Sequence, residues 1–165
     1  MRINGKLRRA LPLGVVVAAG LALAACSGSG SAQLENGAPA KPGSTQDFVV
    51  NAGDRVFFTT DSAELTPQAR ETLDKQSLWL KKYSQYAILI EGHADERGTR
   101  EYNIALGARR ATTVRNYLVS QGVNAARLKT ISYGKERPVA VCDDISCWSQ
   151  NRRAVTVISG QGGSS

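Results

Sequence analysis

The sequence predicts an α/β domain, a two-layer sandwich in the order β-α-β-α-β-β, with the helices packed on one face of a mixed four-stranded sheet. Three observations carry this. Short, nearly continuous apolar runs of strand length recur between Phe48 and Ile158. Two longer segments between them repeat apolar residues at helical spacing and carry helix-start and helix-stop residues. The chain has 165 residues, which is room for one such core.

The elements follow in order. Phe48 to Phe58 is β-prone, with Gly53-Asp54 as a turn or bulge before Val56, Phe57 and Phe58. Thr66-Pro67 starts a helix, Thr as cap and Pro at the first helical position. Ala69, Leu73 and Leu80 then share its inner face. Tyr86 to Glu91 is a buried strand and His93 to Arg100 a polar loop. Tyr102 to Gln121 is a second helix, ended by Gly122. Lys129 to Tyr133 and Ala154 to Ile158 complete the sheet. The domain therefore runs from about Asp47 to Ser159, and the Gly/Ser-rich tail 160–165 is expected to fray.

What precedes the domain is of another kind. The formal charge is +7, but Arg2, Lys6, Arg8 and Arg9 all fall in the first ten residues. Without them 17 basic residues face 14 acidic ones. That mild excess is a poor argument for a nucleic-acid partner, and Trp79 and Trp148 form no stacking stripe. The basic start leads into Leu11 to Ala25, an uncharged run interrupted by Pro12, Gly14 and Gly20. A membrane span wants about 20 apolar residues, so 1–25 reads as a secretory signal peptide. Leu23-Ala24-Ala25-Cys26 resembles the lipobox of bacterial lipoproteins. That resemblance implies acylation of Cys26 after cleavage, and Ser27 rather than Asp next to it points to the outer membrane. The segment 26–46 is a flexible tether, half of residues 27–46 being Ser, Gly or Pro. Its end-to-end distance is about 25 Å relaxed and about 70 Å at full stretch.

The chemistry concentrates between Glu91 and Ala111. Asn103, Leu106 and Arg110 are three and four residues apart and share a helix face. Asp95 lies in the loop that passes over the start of that helix. A carboxylate and a guanidinium flanking an apolar floor suit a small zwitterion, its ammonium at Asp95 and its carboxylate at the fork of Arg110. On spacing alone the alternative is an Asp-Arg pair that only ties loop to helix, and both readings stay open.

Gly92-His93-Ala94-Asp95-Glu96-Arg97-Gly98-Thr99, Glu101-Tyr102-Asn103, Leu106-Gly107, Arg109-Arg110-Ala111, Ser132-Tyr133-Gly134-Lys135-Glu136 and Asn151-Arg152-Arg153-Ala154-Val155 together resemble the OmpA C-terminal-like family, in its peptidoglycan-associated lipoprotein branch. The resemblance covers about Phe48 to Ile158. It implies a non-enzymatic protein that binds peptidoglycan non-covalently through meso-diaminopimelate, with no cofactor. Carried over residue by residue, Asp95 takes the ammonium and Arg110 the carboxylate. Thr60 and Asp61 contribute from the first-strand loop, Arg97 and Leu106 line the site, and Asn103 and Arg152 are further candidates for it. The family pattern differs at Thr59 and Ser62 and lacks the segment Cys142 to Cys147. The resemblance further implies a periplasm-facing domain, tethering of the outer membrane to the wall, and a place in the Tol-Pal system of envelope integrity and cell division, with the propeller protein TolB as partner.

Rival chemistries are weaker. A catalytic zinc needs about three protein ligands, and the chain has one histidine. His93 reads as a structural residue at the strand end. A cell-wall hydrolase is the alternative of another class, but it needs a carboxylate pair flanking a sugar, and Glu91, close to Asp95 in sequence, falls on the strand. Cys142 and Cys147 lie in a polar loop and, in an oxidising periplasm, are expected to form a disulfide, the alternative being two free thiols.

Overall fold

The computed structural model describes residues 40–160. The signal segment 1–25, Cys26, the tether up to 39 and the tail beyond 160 lie outside the described residues. In chain order the elements are α1 (Thr45–Asn51), β1 (Arg55–Phe57), α2 (Pro67–Lys82), β2 (Ala87–His93), α3 (Arg100–Ser120), β3 (Leu128–Gly134), α4 (Ile145–Asn151) and β4 (Arg153–Ser159). The sheet order is β1-β4-β2-β3. β4 runs antiparallel to both β1 and β2, and β2 pairs parallel with β3. The sheet is therefore mixed, as the sequence predicts.

Parallel neighbours need a crossover, and α3 supplies it between β2 and β3. Along β2, Ile88 and Ile90 are buried under the helices while Leu89 and Glu91, alternating with them, are half-buried. α2 offers Ala69, Leu73 and Leu80 to the core and α3 offers Ala111, Val114 and Leu118, every one of them buried. α2 begins as expected, with the Thr66 hydroxyl accepting from the Ala69 N–H and Pro67 behind it. α3 ends as expected too. Gly122 takes φ +90° and its N–H donates to the Val119 carbonyl, a conformation open to glycine at little cost.

Two elements depart from the sequence reading. Phe48 to Asn51 is helical, so the expected strand shrinks to Arg55–Phe57, and the helix begins at Thr45, inside the segment expected to be tether. The reason is a cap. Ser44 Oγ accepts from the Asp47 N–H, and the Asp47 carboxylate accepts from the Gly43 N–H, Asn51 Nδ2 and Trp79 Nε1 at 2.6–2.8 Å. Phe48 and Ala52, four apart, are buried together while Val49 and Val50 face water. Capping and that i,i+4 pair override the β preference of Phe-Val-Val. The second departure is α4, where the sequence suggests only a polar loop. Asp144 caps it by accepting from the Ser146 N–H at 2.6 Å, and Cys142 and Cys147 are bridged across its first turn.

Candidate functional site

The site begins with two glycines. At Gly92 a Cβ would collide with the Gly107 backbone, and at Gly107 one would meet Ser132 Oγ and the Gly92 carbonyl. With neither carrying a side chain, α3 lies directly on the end of β2. The loop between them is thereby held over the first turns of α3.

That loop, Ala94 to Thr99, is pinned from several directions. Thr99 caps α3, its hydroxyl accepting from the Tyr102 N–H. Asn103, buried, donates through Nδ2 to the carbonyls of Arg97 and Thr99 at 2.7 and 3.1 Å. Lys135 Nζ donates to the carbonyls of Glu96 and Gly98. Asp95 accepts from the Arg97 N–H and side chain, the shortest bond being 2.7 Å, and from Arg152 Nη1 at 3.3 Å. Burial pushes the Asp95 carboxyl up, but the hydrogen bonds from Arg97 and Arg152 outweigh it and hold it below the usual carboxylate range. It is an anion at neutral pH.

Arg110, two turns beyond Asn103 on the same face of α3, is fully buried. Its Nε donates to the Ser62 carbonyl at 2.8 Å, Nη1 to the His93 carbonyl at 2.8 Å and Nη2 to the Thr59 carbonyl at 3.1 Å. A guanidinium has five N–H donors, so two remain, one on each terminal nitrogen. Burial lowers its pKa to about 10 despite the nearby Asp95 charge, which leaves it fully charged. The side chain thus clamps the β1–α2 loop to the end of β2 and lines the cleft.

The cleft holds about 290 Å³ and is lined by Thr60, Asp61, Asp95, Arg97, Gly98, Tyr102, Asn103, Leu106 and Arg110. Seven of the eight ligand residues expected from the sequence are therefore gathered around one space. The eighth, Arg152, stands behind it. Its guanidinium donates to the Phe58 carbonyl and to Asp95, so it supports the carboxylate from outside the cleft. The tie that spacing left open, a direct Asp95–Arg110 pair, is not made: Asp95 is bound to Arg97 and Arg152, and Arg110 to three carbonyls.

Sequence reasoning misses Tyr102 and Trp148. Tyr102 lines the cleft and its hydroxyl donates to Asp61, which sits at φ 54°. Its place on the face of Leu106 and Arg110, four and eight residues ahead, was a usable signal. Trp148 reaches the loop from α4, donating to Glu96 Oε1 at 2.9 Å, with Arg97 over its ring at 4.2 Å. Nothing local marks that contact. Glu91 does not line the cleft. His93 is buried beneath Tyr133 at the end of β2, and burial with the charges of Arg153 and Arg137 lowers its pKa to about 4. Among the described residues no cluster of three His, Cys, Asp or Glu could hold a metal ion, and no helix is long and apolar enough to cross a membrane.

Comparison with known proteins gives the family and the fold. The OmpA family matches residues 57–152. A peptidoglycan-associated lipoprotein of Mesorhizobium japonicum is 62% identical over 157 residues, covering 92% of this chain and 94% of its own. One of Agrobacterium fabrum is 59% identical over 158 residues, covering 92% and 89%. The crystal structure of the peptidoglycan-associated lipoprotein of Burkholderia pseudomallei superposes with a TM-score of 0.63 at 44% identity, over 64% of this chain and 90% of that one. The C-terminal domain of Helicobacter pylori MotB shares the fold, with a TM-score of 0.60 at 24% identity, over 64% of this chain and 84% of that one. With the cleft carried on this fold and relatives alike over nearly their whole length, the chain belongs to the OmpA family, among the peptidoglycan-associated lipoproteins.

Proposed function

We propose that this domain binds peptidoglycan non-covalently, taking the side-chain end of meso-diaminopimelate into the cleft between Asp95 and Arg110. One observation carries the reading: Asp95 and Arg110 line one small cleft and neither is bonded to the other. An anion and a cation held apart over the apolar Leu106 match a ligand with an ammonium and a carboxylate on one carbon. The Asp95 carboxylate accepts the ammonium, and the two free N–H groups of Arg110 meet the carboxylate. Both charges are fixed before the ligand arrives, by Arg97 and Arg152 on one side and three carbonyls on the other, so little ordering cost falls on binding.

Two charge-assisted anchors contribute about 1.5–3 kcal/mol each, less where water screens them. Each copy therefore binds weakly, and many anchored copies facing a polymeric wall gain by avidity. The lipobox supports acylation of Cys26, and the relatives' naming as lipoproteins supports an outer-membrane anchor with the domain facing the periplasm. Three acyl chains hold far more firmly than one. The protein then tethers the outer membrane to the wall as a binding protein, within the Tol-Pal system and with TolB as second partner. Co-sedimentation of the protein with purified sacculi, run beside a zymogram for wall digestion, tests this. Binding without digestion is expected, and digestion would place the chain among the hydrolases instead.

A further inference from the structure

The helix beside the Cys142–Cys147 bridge, α4, meets the Ala94–Thr99 loop at Trp148. Trp148 follows the bridged Cys147 on α4; its indole N–H donates to Glu96 and its ring lies under the guanidinium of Arg97. Arg97 in turn grips Asp95 through both carboxylate oxygens. One turn after Trp148, Arg152 closes the helix, its N–H donating to the Trp148 carbonyl, and binds the same carboxylate. Two supports of Asp95 therefore depend on where α4 sits.

α4 has little of its own to hold it. It has seven residues, well below the length at which a helix persists alone. Only Cys147 and Asn151 among them are buried, and Val141 and Ile145 beside the bridge face water. Beside the Asp144 cap and the Trp148 contact, the helix is held by the Cys142–Cys147 bond at its start and the Asn151 side chain at its end, which pairs with the backbone of Val139 and Ala140.

We propose that Trp148 is a positioning residue for the Asp95 end of the cleft and that the Cys142–Cys147 bridge sets ligand affinity by fixing α4, which carries it. The inference rests on the ligand assignment above for its affinity readout, but not for its geometry. Arg97 is substantially exposed, and a long exposed side chain holds one rotamer only when something restrains it. The indole plane supplies that restraint by a cation–π contact.

The test uses the full-length lipidated protein in detergent, titrated with a muropeptide containing meso-diaminopimelate. Trp148→Ala is expected to weaken binding about tenfold and Trp148→Phe, which keeps an aromatic face under Arg97, no more than about threefold. Reduction by a phosphine, which takes up the oxygen of one water and leaves two thiols, is expected to weaken the wild-type protein about fivefold with no substitution made. A second readout is independent of ligand: the Asp95 carboxyl, followed by carbon NMR against pH, should titrate higher in Trp148→Ala than in wild type. Wild-type protein that ignores the muropeptide would overturn the ligand assignment and leave the positioning claim to the carboxyl titration. Unchanged binding in both Trp148→Ala and the reduced protein, equal losses in the Ala and Phe variants, or an unmoved Asp95 titration would overturn the positioning claim.

Discussion

The backbone of Gly107 on α3 rests against the backbone of Gly92 on β2, with no room for a side chain on either. This contact sets the height of α3 above the sheet, and with it the distance from the Asp95 loop to the Arg110 fork. Gly107→Ala forces its methyl against Ser132 Oγ and the Gly92 carbonyl, and overpacking of this kind costs about 1–3 kcal/mol. Gly92→Ala faces backbone alone and should cost at least as much. Urea denaturation should show the midpoint falling in that order, with Gly92→Ala the less stable.

Arg110→Ala should destabilise the domain as well as empty the site. It strips the arginine donor from the buried His93 carbonyl and the half-buried Ser62 carbonyl, while the exposed Thr59 keeps the Ser62 N–H on its carbonyl. Each buried acceptor left without a partner costs about 1–3 kcal/mol. The variant should lose several kcal/mol in denaturant melts, and a melt equal to wild type would mean that these bonds contribute nothing net. Asp95→Asn keeps the shape but only one accepting oxygen, losing half of the bonds from Arg97 and Arg152, so it removes the charge that meets the ammonium while leaving the clamp of Arg110 in place.

Stability should fall in mild acid because of His93. Folded, its pKa is lowered to about 4 by burial and by the charges of Arg153 and Arg137. Glu91, on the same strand, lies 3.7 Å from Nε2, and the Tyr133 ring packs at a tilt beside the imidazole. The unfolded chain titrates near the ordinary value of about 6.5. Between the two, the unfolded state binds the proton and the folded state does not. The contribution is therefore whole above about pH 6.5 and drains away as pH falls toward 4, amounting to at most about 3 kcal/mol. Neither ring nitrogen has a hydrogen-bond partner among the described residues, so His93→Leu is tolerable and should flatten this slope. An equal slope in wild type and variant between pH 7 and 4.5 would assign it to other groups.

Cys26→Ser should remove the acyl label and release the protein from the outer-membrane fraction once the wall has been digested. Retention of the variant in washed membranes after wall digestion would locate the anchor elsewhere in the chain.

The sheet and the two long helices were legible because each carries its own period and caps: Thr66-Pro67, Ile88 and Ile90, Gly122. The chain from Ser44 to Asn51 was not, because its partner Trp79 is 32 residues from Asp47 and nothing local announces that bond. Within the site, the spacing of Asn103, Leu106 and Arg110 gave one wall of the cleft directly. The second job of Arg110, binding the β1–α2 loop, was hidden for the same reason as α1: Thr59 and Ser62 are about fifty residues away. Arg152 illustrates the limit most clearly. Its charge and motif mark it as part of the site, and only the fold places it behind Asp95 rather than beside the ligand.

The most direct measurement compares sedimentation of the folded protein with walls whose stem peptides carry meso-diaminopimelate and walls that carry lysine in its place. Lysine keeps the ammonium for Asp95 but lacks the side-chain carboxylate that the free N–H groups of Arg110 receive. Strong binding to the diaminopimelate wall, weak binding to the lysine wall, and weak binding again when the diaminopimelate carboxylate is amidated is the result this account predicts. Equal binding to all three walls would contradict it.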